Sequence, residues 1–403
     1  MNVAFSFCCI HPYLGFKWGI LKMPSVLARI LVDNLDERHL EMCSYKSLGR
    51  TALVYLSRKR VPGLGHEKSV HGEPQMPTHV ADLNLIDTNL SGIRTFNKPP
   101  DGFDPLTASK EELIRHGFPL PPDPRRAPKQ AVHFWRMAMG RAKHHVVPNL
   151  RVIPDRRRAK SKGIGGPGHD TDYANWCGTV VYNPTLTAYG IYGAWTIPAV
   201  QVPPGDANFL YWSSIWIGLD GGNASGSQDC LQAGTEQDIG DPSVYEDPNW
   251  PFPYYCWYQW YPGSPVGVTN FPVTPGQTVL VLITSSVGGQ GANVQFLNLN
   301  SGVFTSVVFF APGATRLVGD SAEWILEAYP NLLPDFGIVN MTHTFGCTEN
   351  GDTLVPNGSA GSGSFLTQVL SLNNNGTPLA EQTETTALHF SDQRTASSDT
   401  EAS

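Results

Sequence analysis

The C-terminal part of this 403-residue chain contains no lysine. The last one is Lys162, and beyond it only Arg316 and Arg394 carry a fixed positive side-chain charge. Residues 166–403 set 21 acidic residues against those two arginines, a balance of −19, whereas residues 1–165 hold 26 basic and 14 acidic residues, a balance of +12. The net charge of −7 therefore describes neither part. A stretch so poor in Lys and Arg is not built to hold phosphate backbones, so nucleic acid is not an expected partner. The basic part reads as a solvated segment or as a partner for the acidic part. No apolar run reaches about 18 residues, so no spanning helix and no membrane partner is expected. Cys177, Cys230, Cys256 and Cys347 show no C-x-x-C spacing, and His169, His343 and His389 do not cluster, so no metal and no cofactor is expected. Four cysteines allow three pairings, and spacing does not choose among them. G-x-S-x-G, H-E-x-x-H and P-loop patterns are absent, which sets aside the serine hydrolase, zinc peptidase and nucleotide-binding classes.

What is present divides the chain into four. Residues 1–92 show no clear periodicity and stay unassigned. Residues 93–168 form a basic segment and linker. Ser109 and Glu112 make a capping box that predicts a short helix to about His116, ended by Gly117. A second, basic helix is expected over 129–146. Arg156-Arg157-Arg158 and the glycine-rich run at 163–168 then read as an exposed hinge open to proteases. Residues 169–390 are strands and turns: short aromatic and β-branched runs such as YYCWYQWY (254–261) and TVLVLITSS (278–286) alternate with Gly, Pro, Asn and Asp. Many strands without intervening helices predict an all-β antiparallel sandwich or barrel. Residues 391–403 read as a polar tail. Sequons at Asn89, Asn223, Asn340, Asn357 and Asn375 point to a secreted, extracellular protein, although Met1–Ile10 lacks the basic start of a signal peptide.

Side chains alternate faces along a strand. In 213–220, Ile215, Ile217 and Leu219 share one face while Trp216, Gly218 and Asp220 share the other. In 229–237, Cys230, Gln232, Gly234 and Glu236 oppose Leu231 and Ala233. In 321–329, Glu323, Ile325 and Glu327 oppose Trp324, Leu326 and Ala328. Three strands thus carry one apolar face and one face with Trp, Gln and acids. Ordinary solvent-facing alternation gives the same pattern; the functional reading is a polar groove with aromatic walls. Glu323 and Glu327 lie roughly 13 Å apart at about 3.3 Å per residue, beyond the about 5–9.5 Å of glycosidase carboxylate pairs.

Asn175-Trp176, GAWTIP (193–198), IWIGLDG (215–221), LQAG (231–234), WYQWYP (257–262), PGQTV (275–279) and SAEWILE (321–327) follow one another in an order that resembles the glutamic peptidases, the eqolisins of peptidase family G1. The resemblance covers about residues 173–345. The segment RTFNKPPDGFDPLTASKEEL, from Arg94, also resembles an N-terminal region of some longer relatives. It implies a bent antiparallel β-sandwich similar to the concanavalin-A-like lectins and glucanases, with a Gln/Glu catalytic dyad. Gln232 and Glu323 match that dyad, and both sit on the polar faces already read from alternation. Trp176, Trp216 and Asp220 match residues lining the family's cleft, and Glu236 is expected beside them as a further substrate-binding residue.

The implied function is an acid-acting endopeptidase on polypeptide substrates, made as a monomeric precursor whose basic segment serves as an inhibitory propeptide. Glu323 would be general base and then acid, and Gln232 the oxyanion stabiliser. A departure stands at Gln259, where the family usually has Glu. Two alternatives stay open: a carbohydrate-binding or glycoside-hydrolysing sandwich, and an inactive family member that serves as a binding protein.

Overall fold

The computed structural model describes residues 83–153 and 175–392, with short interruptions in both stretches, and four short strands before residue 54. The chain divides into two units, Met1–Glu73 and Pro74–Ser403. In the first, β1 (Val3–Phe5) pairs with β2 (Leu21–Met23), and β3 (Ser44–Ser47) with β4 (Arg50–Leu53). The second begins with a leader: β5 (Leu85–Asp87), β6 (Arg94–Phe96), helices Lys110–Arg115 and Lys129–Arg141, β7 (His144–His145) and β8 (Leu150–Val152). The expected hinge and the Arg156–Arg158 region lie outside the described residues, as do Cys8, Cys9 and Cys43.

The sandwich strands are β9 (Trp176–Tyr182), β10 (Ala188–Thr196), β11 (Leu210–Leu219), β12 (Cys230–Gly240), β13 (Tyr254–Tyr261), β14 (Val266–Val268), β15 (Thr278–Ser285) and β16 (Gly291–Asn298). They continue through β17 (Val303–Phe310), β18 (Ser321–Glu327), β19 (Ile338–Thr348), β20 (Thr353–Leu354), β21 (Leu366–Leu370), β22 (Leu372–Asn374), β23 (Thr377–Gln382) and β24 (Leu388–Asp392). One sheet runs β21-β9-β18-β11-β12-β13-β14-β8. The other runs β22-β23-β24-β19-β10-β15-β16-β17-β6-β5, with β20 on β19 and β7 on β17. This is the antiparallel sandwich that the strand texture predicts. The expected tail, past Asp392, lies outside the described residues.

The apolar faces read from alternation meet in the middle. Ile215, Ile217, Leu219, Leu231, Ala233, Trp324 and Leu326 from the first sheet pack against Ile191, Trp195, Val281, Ile283 and Phe296 from the second. Each of the larger aliphatic and Phe side chains among them contributes about 1.5–3 kcal/mol on burial. Two indoles also tie the layers by hydrogen bonds: Trp195 Nε1 donates to Thr235 Oγ1 at 2.8 Å, and Trp324 Nε1 to the Tyr192 carbonyl at 2.9 Å. Gly193 precedes Trp195 because a Cβ there would lie 2.8 Å from the Ile217 side chain of the facing sheet. Cys177, Cys230, Cys256 and Cys347 are free thiols. Burial raises all four, Cys177 to about 12, so they are inert in acid.

The leader packs on the outer face of the second sheet. Ser109 Oγ accepts from the Glu112 N–H, and Glu112 Oε2 from the Ser109 N–H, which closes the capping box. Gly117 follows with φ +75°. The second helix ends at Arg141, short of the expected 146, because His144–His145 leave it to pair with β17. Leu113, Phe118, Phe134, Ala138, Met139 and Ala142 press onto Ala194, Leu280, Leu297 and Leu299. The charge split suggests an electrostatic union; the described contact is instead mainly apolar, with Arg151–Asp247 as an ion pair between leader and sandwich. Asn89 holds the last leader strand by a two-way bond to the Leu150 backbone, 2.7 and 2.8 Å.

Histidines line this contact. His343 stacks on Phe134 with ring centroids 3.9 Å apart. His145 lies edge-on to Phe304, and burial, then Lys98, pushes it down to about 4. His116 and His343 are lowered too, chiefly by burial. A histidine buried neutral has a folded pKa below its unfolded value. Its contribution is therefore complete above pH about 6.5 and falls as pH drops toward the folded pKa. Leader docking should weaken between pH 6.5 and 4. Hydrogen exchange of the helix Lys129–Arg141, corrected for intrinsic rates, checks this: protection should fall over that range, and His145→Phe should flatten the fall.

Candidate active site

Register builds the site. Gly218 of β11 pairs with Gln232 of β12 on one side and with Glu323 of β18 on the other. Next along, Trp216 lies between Gly234 and Ile325, and Ser214 between Glu236 and Glu327. β13 extends the same face with Gln259, Trp257 and Tyr255 opposite Gln232, Gly234 and Glu236. β9 closes the other edge with Val180, Gly178 and Trp176 opposite Glu323, Ile325 and Glu327. The polar face read from alternation is thus a continuous surface on the side of the sheet away from the core.

The backbones of Gln232 and Glu323 are two strand spacings apart, about 10 Å. Gly218 leaves the room between them: a Cβ there would lie 3.0 Å from Glu323 Oε2 and 2.8 Å from the Trp216 ring. Glu323 is fully buried and Gln232 is 6 % exposed. Glu323 Oε1 accepts the Gly221 and Gly222 N–H groups at 3.1 and 2.9 Å. Its Oε2 has no hydrogen-bond partner, and neither does Gln232 Oε1. Unpaired polar atoms at such depth cost roughly 1–3 kcal/mol each, and here two of them flank one glycine. Burial pushes the Glu323 carboxyl up to about 7, against the Ser321 hydroxyl and the two glycine N–H groups that hold it down.

The remaining predicted residues take different places. Trp176 meets Trp216 edge-to-face, centroids 4.9 Å apart, and its ring tip lies 3.2 Å from where a Gly221 Cβ would be. Trp216 is buried beneath, and its Nε1 donates to Glu327 Oε2 at 2.9 Å. Glu327 Oε1 also takes the Asn175 amide at 2.9 Å, tying the start of the domain to the groove floor. Glu236 is buried on the same face and accepts a short hydrogen bond from Ser214. Asp220 departs from the alternation. Its φ of +68° turns it out of β11, and its carboxylate takes the N–H groups of Val318, Gly319 and Asp320. It clamps the loop that leads into β18. Burial raises Asp220 to about 8, opposed by those N–H bonds. Gly221 and Gly222 are contributors that alternation alone does not single out; Glu327, read on the polar face, holds Trp216 and Asn175. Among the described residues no group of three or more His, Cys, Asp or Glu is arranged to hold a metal ion, and no helix is long and apolar enough to cross a membrane.

Comparison with known proteins follows this geometry. Residues 174–390 match the peptidase A4 family. Aspergillopepsin-2 of Aspergillus niger is 25% identical over 214 residues, 48% of this chain and 71% of that protein. The crystal structure of scytalido-glutamic peptidase with a transition state analog inhibitor aligns with TM-score 0.43 and 18% identity, over 55% of this chain and 98% of its own. SCP-B, a member of the eqolisin family in complex with the tripeptide Ala-Ile-His, aligns with TM-score 0.40 and 18% identity over the same shares.

Two outcomes are expected. A carboxyl raised above its unfolded value contributes stability that is complete below pH about 4.3 and is lost as pH rises through the folded pKa. For Glu323 that window runs from about 4.3 to about 7 and is worth about 4 kcal/mol. Chemical denaturation at pH 4 and 7.5 should show Glu323→Gln losing less stability than the parent chain across that interval. Gly218→Ala should lower kcat/KM by about a hundredfold, because the methyl displaces the Glu323 carboxyl, while far-UV circular dichroism stays unchanged.

Proposed function

The chain belongs to the peptidase A4 family as a glutamic endopeptidase, and we propose that Gln232 and Glu323 carry its reaction. The observation behind this reading is their convergence on Gly218, each with an unpartnered buried oxygen. With a peptide bond over Gly218, ionised Glu323 takes a proton from water as the water oxygen bonds to the carbonyl carbon. The carbonyl oxygen becomes an oxyanion held by a Gln232 Nε2 hydrogen. Glu323 then delivers its proton to the amide nitrogen, the C–N bond breaks, and an acid and an amine leave. Trp176 and Glu236 flank the bound polypeptide. Trp216 and Asp220 act from beneath, the one as floor and the other as the clamp that sets β18.

We read the chain as a closed precursor. A Glu323 held near 7 by burial is protonated in acid and cannot serve as base. Admitting water to the groove restores an ordinary carboxylate, ionised over the pH range 4–6 in which the dyad is proposed to work outside the cell. The leader is proposed to act as propeptide by keeping the groove closed. Its described part leans on the opposite sheet, but Leu150–Val152 reach the edge of the groove-bearing sheet, and Ile153 enters the aromatic cluster on its outer face with Trp250, Tyr255 and Trp257.

The test is digestion of a denatured protein at pH 3–6. After acid incubation that releases the leader, the wild-type chain should cleave it; Gln232→Ala should cut turnover by about 10²–10³-fold, and Glu323→Gln by at least as much. Cleavage that survives both substitutions removes the dyad. No cleavage by the wild-type chain at any stage of acid incubation supports the inactive reading.

A further inference from the structure

Gln232 cannot act as a donor unless its amide points the right way round. Its Nε2 donates to Gln259 Oε1 at 3.0 Å, and Gln259 Nε2 donates in turn to the Gly263 carbonyl at 2.7 Å. The far end of this relay decides the polarity of the whole. A backbone carbonyl only accepts, so Gln259 must present nitrogen to Gly263 and oxygen to Gln232. Gln232 must then present nitrogen to Gln259, and the second hydrogen on that nitrogen is left for the substrate. Gln259 is buried on the groove face, directly opposite Gln232 in the β12–β13 register.

We propose that Gln259 is a positioning residue whose neutral side chain locks the Gln232 amide in its donor orientation at every pH. This rests on the dyad reading above and adds to it a pH range. The lock contains no titratable atom. A carboxylic acid in the same place serves while protonated, since its hydroxyl donates to Gly263 and its carbonyl oxygen accepts from Gln232. Once ionised it can still accept from Gln232 but has no proton for Gly263; two acceptors then face each other, and their repulsion swings the side chain off the relay and releases the Gln232 amide. The titratable groups around the relay are Cys230 and Tyr261, the neighbouring cross-strand pair on the same face, Glu323 across Gly218, Glu236 and Tyr255 further along, and Asp220 and Asp229 at the strand ends. Several are carboxyls, so a carboxyl at 259 ionises above its ordinary range.

The experiment compares kcat and KM from pH 3 to 7 for the acid-incubated full-length chain, Gln259→Glu, Gln259→Leu and Gln232→Ala. Gln259→Glu should stay within threefold of wild-type kcat at pH 3.5 and fall at least tenfold below it by pH 6.5, with KM within twofold. Gln259→Leu should lose about tenfold in kcat at every pH. A Gln259→Glu profile parallel to wild type, or one depressed equally at all pH values, overturns the lock. Full activity of Gln232→Ala overturns the dyad instead, so the two failures are distinguishable.

Discussion

The sandwich buries carboxyl groups with almost no cations to receive them. Residues 169–390 hold one arginine, Arg316, and no lysine, yet Asp220, Asp229, Glu236, Asp238, Asp320 and Glu323 are all buried. Their hydrogen bonds come from other donors. Asp220 takes three backbone N–H groups, Asp229 the Trp260 indole at 2.8 Å, Glu236 a serine hydroxyl, and Glu323 two glycine N–H groups. A buried carboxyl opposite an arginine is pinned ionised; one held by neutral dipoles can be moved by small changes in solvation. The Gly-rich corner at 218–222 exists to supply such dipoles without side chains in the way. A lysine-free surface also limits self-repulsion in acid, when most carboxylates lose their charge.

The two layers of the second unit respond to acid in opposite senses. Glu323 and Asp220 sit above their unfolded values, so their protonation in acid stabilises the sandwich. His116, His145 and His343, between leader and outer sheet, sit below theirs, so acid weakens the docking. A drop in pH is therefore expected to loosen the leader from a body that is becoming firmer, the order of events that the proposed propeptide role requires. The charge asymmetry between the two parts matters less to the contact than composition suggests. Leu113, Phe134 and Met139 carry it, because a helix stripe that buries apolar area outweighs exposed ion pairs of roughly 0–1 kcal/mol.

Much of the groove was legible before any coordinates. Period-two alternation placed Gln232, Glu236, Glu323 and Glu327 on one face, and strand register then brought three strands into line. Alternation fails where the strand ends. Asp220 reads as groove-facing, but its left-handed backbone sends the carboxylate into the 318–320 loop, a turn that the pattern Leu-Asp-Gly-Gly only hints at. Alternation also ranks side chains and is blind to backbone donors, so Gly221 and Gly222 went unseen. The leader's docking face was hidden for a different reason: its helices show apolar residues but not which of two apolar sheets they meet. The Gln259 departure was visible as a residue change, yet its meaning depends on the Gly263 carbonyl, four residues away and across a turn.

What links the fold to the proposed precursor state and the proposed dyad is the protonation of one buried group. Carbon-13 NMR of side-chain carboxyls in the intact chain, with Glu323→Gln to assign the signal, reads it directly. A Glu323 titration near pH 7 that moves down toward the ordinary carboxylate value of about 4.3 once the leader is removed is the expected result. A Glu323 already ionised at pH 4–5 in the intact chain contradicts the closed, cation-free site as the source of its control.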